Sequence, residues 1–197
     1  IAVALAVAKA MEIIEDKCSV DSSWRMTSSY TLDIRVSGNI LKNGMGVGIP
    51  GTGMVGLHIA SALGAACGKS AYGLEVLNDL DDTSIAHAKE MVEAKTVTVG
   101  IADTDRKLYV KASVTSDCGH TAYAVIQDNH DSILETGFDG CVLTDSNTSS
   151  CHTAVEGKTT LDYHLTVREI FDFACNISYE DIKFILESRT LNMALAQ

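Results

Sequence analysis

Ser37-Gly38-Asn39-Ile40-Leu41-Lys42-Asn43-Gly44-Met45-Gly46-Val47-Gly48-Ile49-Pro50-Gly51-Thr52-Gly53-Met54-Val55-Gly56 is the stretch around which this chain is organised. Six of the 15 glycines lie between Gly44 and Gly56, and the single proline sits among them. The apolar run 57–66 follows at once and reads as a buried helix. A glycine-dense loop feeding a helix N-terminus suits an anion, because backbone N–H groups converge there and the helix dipole favours negative charge. Lys42 and Thr52 add a cation and a hydroxyl. A small, negatively charged group is therefore expected to bind here.

On the upstream side, residues 1–14 are alanine-rich, with Lys9 and Glu12 the only charges before Glu15. Such a helix is buried on most sides. Residues 18–29 are polar and serine-rich, a loop or a ragged strand. Residues 31–37 alternate apolar and polar, the period of a half-buried strand.

Downstream, a helix is predicted over 54–67, with Gly68 as its C-cap. Its small residues (Gly56, Ala60, Ser61, Gly64, Ala65) would let a second helix come close. A short helix at 74–77 precedes one at 84–94, which Asp81-Asp82-Thr83 caps with acids at the favoured end. At Thr96 the period changes to alternation. Residues 96–101, 108–115, 121–128 and 132–137 read as successive strands of an antiparallel meander, with turns at 103–105, 116–119 and 128–131. Residues 145–160 read as a polar loop. Helices at 167–175 and 179–196 close the chain, the second capped by Ser178 with Asp181 at capping-box spacing.

This order predicts an α+β fold with segregated elements. Residues 1–95 form a helical cluster carrying the Gly-rich loop. Residues 96–197 form an antiparallel β-meander packed by C-terminal helices.

The totals narrow the function. A chain of 197 residues, 46% hydrophobic, can bury a core. A net charge of −11 and a pI near 4.8 argue against nucleic acid, whose phosphates need a basic face. Basic residues are scattered, and residues 1–8 are too short to span a bilayer, so no membrane partner is expected. The six cysteines are far apart, with no Cys-x-x-Cys pair. That pattern suits reduced thiols and a cytoplasmic protein. A chain beginning with Ile reads as a fragment or a processed product.

The histidines show no metal-ligand spacing, so no metal site is expected within the chain. His120 lies in the tight turn Asp117-Cys118-Gly119-His120, at the end of a hairpin. His58, on the apolar helix, reads as a core histidine bonded to a carbonyl. Gly51-Thr52-Gly53-Met54-Val55-Gly56 matches the G-x-G-x-x-G dinucleotide fingerprint by letter. That fingerprint needs a parallel βαβ unit and an acid about 20 residues on. Here helices follow, and the next strand begins at Thr96, so NAD or FAD is disfavoured. Gly68-Lys69-Ser70 fails as a Walker A ending, since Leu63 stands at the leading glycine position and the segment closes a helix.

The run Asn39-Ile40-Leu41-Lys42-Asn43-Gly44, then Pro50-Gly51-Thr52-Gly53-Met54-Val55-Gly56-Leu57, resembles the signature of the serine-dehydratase-alpha-like family. That family takes in the UPF0597 proteins and L-cysteine desulfidase. Gly73-Leu74-Glu75-Val76-Leu77, Gly119-His120-Thr121 and the closing 182–186 and 191–192 support the resemblance, which spans nearly the whole chain as an N-terminal portion. Residues 18–30 are longer than the family pattern, and His58 stands where proline is common.

The resemblance implies an iron–sulfur-dependent amino-acid lyase that gives pyruvate and ammonia from L-cysteine or L-serine without pyridoxal phosphate. Its 4Fe–4S cluster would be held by cysteines outside this chain, so the fragment alone is expected to bind no cluster and to be inactive. Lys42, Asn43, Gly44 and Thr52, with the backbone of Gly51 and Gly53, would hold the substrate carboxylate. His120 would be a second contact or a proton-transfer group. The implied partners are a small amino acid, the missing C-terminal half of the same protein, and a second copy in a homodimer. A different class of reading makes the chain a non-catalytic amino-acid-binding or regulatory module.

Overall fold

The computed structural model describes residues 1–49, 51–143 and 166–195. Contacts divide the chain into two compact units, Ile1–Cys151 and His152–Gln197. The fold is mixed α+β.

In the first unit, the described strands form one six-stranded sheet: β1 (Tyr30–Val36), β2 (Val97–Ile101), β3 (Tyr109–Ser116), β4 (Thr121–Gln127), β5 (Ile133–Phe138) and β6 (Cys141–Leu143). Their order is β2-β1-β3-β4-β5-β6. β1 is therefore an inner strand, antiparallel to β3 and parallel to β2. This corrects the predicted meander. The strand at Val97 does not lead into the hairpins but crosses back to pair Leu32 with Val97 and Val36 with Ile101. Alternation identifies a strand but carries no information about its neighbour, so the period could not reveal this. The remaining strands do run as an antiparallel meander, extended by β6, a short strand the sequence did not suggest.

The register stacks one apolar face. Leu32, Ile34 and Val36 stand opposite Val114, Ala112 and Val110, which face Ala122, Ala124 and Ile126 in turn, and all are buried. The opposite face is polar, with Asp33, Arg35, Lys111 and Tyr123.

The helix α1 (Ala2–Cys18) lies against β3, β4 and the helix α4 (Leu57–Ala66). It is buried at residues 2–8, Ala10, Met11, Ile13 and Ile14, as its nearly uncharged sequence requires. Ser19 in the left-handed region ends it (φ 54°). Residues 18–29 include a one-turn helix, α2 (Trp24–Thr27), in place of the expected loop, with Trp24 stacked on Tyr30 at 5.3 Å between ring centroids.

Between β1 and β2 run α3 (Gly38–Gly44), α4, a 3-10 turn (Ser70–Glu75) and α5 (Asp82–Glu93), which packs on α4. Three differences from the sequence reading have local causes. Residues 38–44, expected as loop, are helical, with Ser37 as N-cap accepting the Ile40 N–H at 3.5 Å. The next helix starts at Leu57 rather than Met54, because Gly51, Gly53 and Gly56 all take positive φ. Gly68 is not a left-handed cap. A β-carbon there would meet the Gly64 carbonyl oxygen at 2.5 Å and the Ala8 Cβ at 2.9 Å, so it serves close packing. The cap at Asp81 is as read, accepting the Ser84 N–H at 2.8 Å.

The second unit contributes α6 (Val167–Asn176), α7 (Tyr179–Ile182) and α8 (Phe184–Leu195). The single helix expected over 179–196 is interrupted at Lys183. Ser178 caps α7, as expected. The reciprocal capping box lies instead at Thr166 and Glu169. The loop expected over 145–160 falls outside the described residues.

Candidate functional site

Strand β1 ends at Val36, and the chain turns straight into α3, whose last turn is Lys42-Asn43-Gly44. In a parallel pair joined by a helical crossover, the carboxyl end of the strand is where ligands collect. A cavity of about 340 Å³ lies here, between the start of α1, the end of α3 and the start of α4. This is a volume suited to a small molecule. Ile40, Val47, Ile49, Leu57 and Leu77 give it apolar walls, while Asn43 and His130 supply its polar side chains. Gly44, Gly48 and Gly56 bring bare backbone to the edge. The N-cap of α4 is Gly56, with no side-chain cap, so the positive end of that helix opens at the cavity.

Of the six residues expected to bind an anion, two line this cavity. Asn43 does so from an exposed position, its amide donating to Asn39 Oδ1 at 3.5 Å. Gly44 is held close to the Leu57 side chain. Lys42 is exposed on the same turn of α3 but is not part of the cavity wall.

Gly51, Thr52 and Gly53 form the tip of a ribbon closed by a bridge between Gly48 and Val55. Thr52 is 3% exposed. Its hydroxyl donates to the Ile49 carbonyl at 2.8 Å and accepts the Met54 N–H at 3.0 Å. It pins the ribbon from within. The positive φ of Gly51 (81°) and Gly53 (67°) lets the chain turn on either side of it.

His120 is not brought to this place. The β3–β4 turn sits beside the start of β1, since Tyr30 pairs with Ser116, whereas the glycine segment leaves from Val36, paired with Val110. Six residues of strand, about 20 Å, separate the two ends. His120 has its own surroundings there. Its Nδ1 lies 2.7 Å from Asp139 Oδ2, its ring stacks on Phe138, and Asp139 Oδ1 accepts the Thr121 N–H at 2.8 Å. The Thr121 N–H, and after it His120, hold the Asp139 carboxyl below the usual carboxylate range.

His58 is exposed, which corrects the reading of it as a core histidine. Helical position alone does not say on which side the partner lies, and the small residues of α4, not His58, meet α1.

The residue missed was His130, in the β4–β5 turn. That turn lies at the same end of the sheet as Val36, because Ile126 pairs with both Val110 and Ile133. Alternate turns of a meander fall at alternate ends, so counting strands from β1 would have found it, had the β1–β3 pairing been known.

Among the described residues, no three His, Cys, Asp or Glu side chains gather as a metal ion needs, and no helix is long and apolar enough to cross a membrane. The described cysteines are free thiols, and burial pushes those of Cys18 and Cys67 above their ordinary pKa.

The whole chain is similar to curated proteins named UPF0597 protein. It is 40% identical over 199 residues to one from Parabacteroides distasonis, 38% identical over 199 residues to one from Phocaeicola vulgatus, and 38% identical over 204 residues to one from Shewanella halifaxensis. Each match takes in 100% of this chain but only 43%, 42% and 44% of the relative, so the chain spans less than half the length of the proteins it matches. No family model matches the chain, and no solved structure matches it.

Proposed function

We propose that this chain, which belongs to the UPF0597 family, supplies the substrate-binding wall of an iron–sulfur-dependent amino-acid lyase of the L-cysteine desulfidase or L-serine dehydratase type. The observation that carries the reading is the cavity of about 340 Å³ at the carboxyl end of β1, where Asn43, Gly44 and the uncapped start of α4 meet. An amino-acid carboxylate placed there would meet backbone N–H groups and the helix dipole. The Asn43 amide would donate to it, and Lys42, on the same turn, would add longer-range attraction. Thr52 and the glycines beside it would hold the ribbon over the cavity.

A cluster would supply a Lewis acid for loss of sulfide or water. The described residues do not form a ligand set for it, so its ligands are assigned to parts of the protein beyond this chain. The proposed setting is the cytoplasm.

The test is anaerobic reconstitution of the full-length protein with iron and sulfide, followed by pyruvate assays on L-cysteine and L-serine. Turnover of one or both is expected. No turnover with the cluster loaded would overturn the reading. Lys42→Ala is expected to raise KM more than it lowers kcat, and unchanged kinetics would remove Lys42 from the site.

One observation favours a second reading. Among the described residues, the cavity lining comes from the first unit, so an amino acid held there would need no second unit to be bound without turnover, as in a regulatory module. Calorimetry with L-cysteine and L-serine, beside an assay of the full-length protein, separates the two: binding without turnover in the loaded protein favours the module.

A further inference from the structure

We infer that His130 is the cationic side chain of the cavity at the end of β1, meeting the carboxylate of the bound amino acid across from Asn43. The inference rests on the amino-acid reading above and adds to it a side chain that the sequence reading did not single out. The walls are mostly aliphatic, and a carboxylate does not leave water for such a place without donors to meet it. Among the described residues, the lining offers two side chains that can donate, Asn43 and His130, and of these the imidazole alone can carry a positive charge. The lysine that seemed suited to the task from sequence, Lys42, is absent from the lining.

The turn that presents His130 is braced. Asp128 is in the left-handed region at φ 66°, its N–H donates to the Leu108 carbonyl at 3.2 Å, and its carboxylate lies 3.5 Å from Arg106 Nη1. The Ser132 N–H closes the turn on the Asn129 carbonyl at 3.3 Å. These bonds fix the backbone at the rim, where the His130 side chain is exposed and lines the cavity.

Other charges lie close and define the controls. Asp128, with its partner Arg106, and Asp131 flank the histidine in its own turn. Lys42 stands on α3.

The experiment is calorimetric titration of the chain with L-cysteine and, separately, L-serine, with circular dichroism confirming that each variant folds. His130→Ala should lose about tenfold or more in affinity, the scale of a charge-assisted hydrogen bond. His130→Lys, which keeps a cationic donor, should keep most of the affinity. His120→Ala, at the far end of the sheet, should leave the affinity unchanged. Binding by His130→Ala equal to the parent would overturn the inference while leaving the amino-acid reading in place. Absence of binding by the parent chain for both amino acids would overturn the inference together with the reading beneath it.

Discussion

Gly64 of α4 sits so close to Ala4 of α1 that a β-carbon on Gly64 would lie 2.5 Å from the Ala4 carbonyl oxygen. The obstacle is backbone, which cannot swing aside as a side chain can. Gly64→Ala is therefore expected to force the helices apart and to cost about 1–3 kcal/mol, the usual scale of overpacking. Urea denaturation of the chain checks this, and an unchanged midpoint would show that the helices can slide without loss. Because α1 also forms one wall of the cavity, the variant should weaken ligand binding as well.

Arg25, only 5% exposed, is engaged on three sides. Its Nη2 donates to Glu15 Oε2 at 2.8 Å, its Nε pairs with the other Glu15 oxygen, and its Nη1 donates to the Gly68 carbonyl at 2.7 Å. Arg25→Met strands the Glu15 carboxylate and the carbonyl in a poorly hydrated place, and a loss of about 3–5 kcal/mol is expected. Replacing both partners, as Glu15→Leu with Arg25→Met, should cost less than the single change. Four unfolding curves, forming a double-mutant cycle, decide it.

The Asp81 cap gives the stability a pH signature. The Ser84 side chain and N–H hold the Asp81 carboxyl below its ordinary value. A folded pKa below the unfolded one, about 3.9, means that the contribution is present above that pH and is lost as the pH falls through the folded value. Asp81→Asn keeps a capping oxygen but cannot titrate. The variant is expected to lose less stability than the parent between pH 5 and pH 2, and parallel curves would remove Asp81 from the account.

Thr52 distinguishes a pin from a ligand. Its hydroxyl is spent on Ile49 and Met54, so Thr52→Val, which keeps the shape and removes the oxygen, should destabilise the ribbon by about 1–2 kcal/mol. Thr52→Ser should restore most of that. A Val variant of parental stability but with abolished amino-acid binding would instead make the hydroxyl a direct contact.

How much of this was readable beforehand depends on the range of the interaction. The buried character of α1 followed from a run of alanines with almost no charge. The start of β1 and the Asp81 cap followed from alternation and from an aspartate before a helix. Even the close approach of a second helix to α4 was legible, since Gly64 and Ala60 leave no bulk to keep a neighbour away, though not that this helix would be α1. The same local signals failed wherever a partner had to be named. Residues 38–44 carry three polar side chains and two glycines, yet they form a helix because Ser37 can cap them and Leu57 packs against Gly44. His58 sits on an apolar helix yet faces outward.

By itself, the sequence determined the mixed α+β character, most of the elements of the first unit, and the glycine segment as the place to look. These depend on residues a few positions apart, where period, capping and turn chemistry act. Only the tertiary structure decided that Val97 pairs with Leu32 in parallel, that β1 lies inside the sheet, and that His130, not His120, lines the same cavity as Asn43. The pairings of β1 with β2 and β3 join residues more than sixty positions apart, and alternation along β1 does not say which strands it will meet. The choice among partners is made by packing α1 against β3 and β4 and fitting the crossover helices beside it, and no local pattern records that outcome.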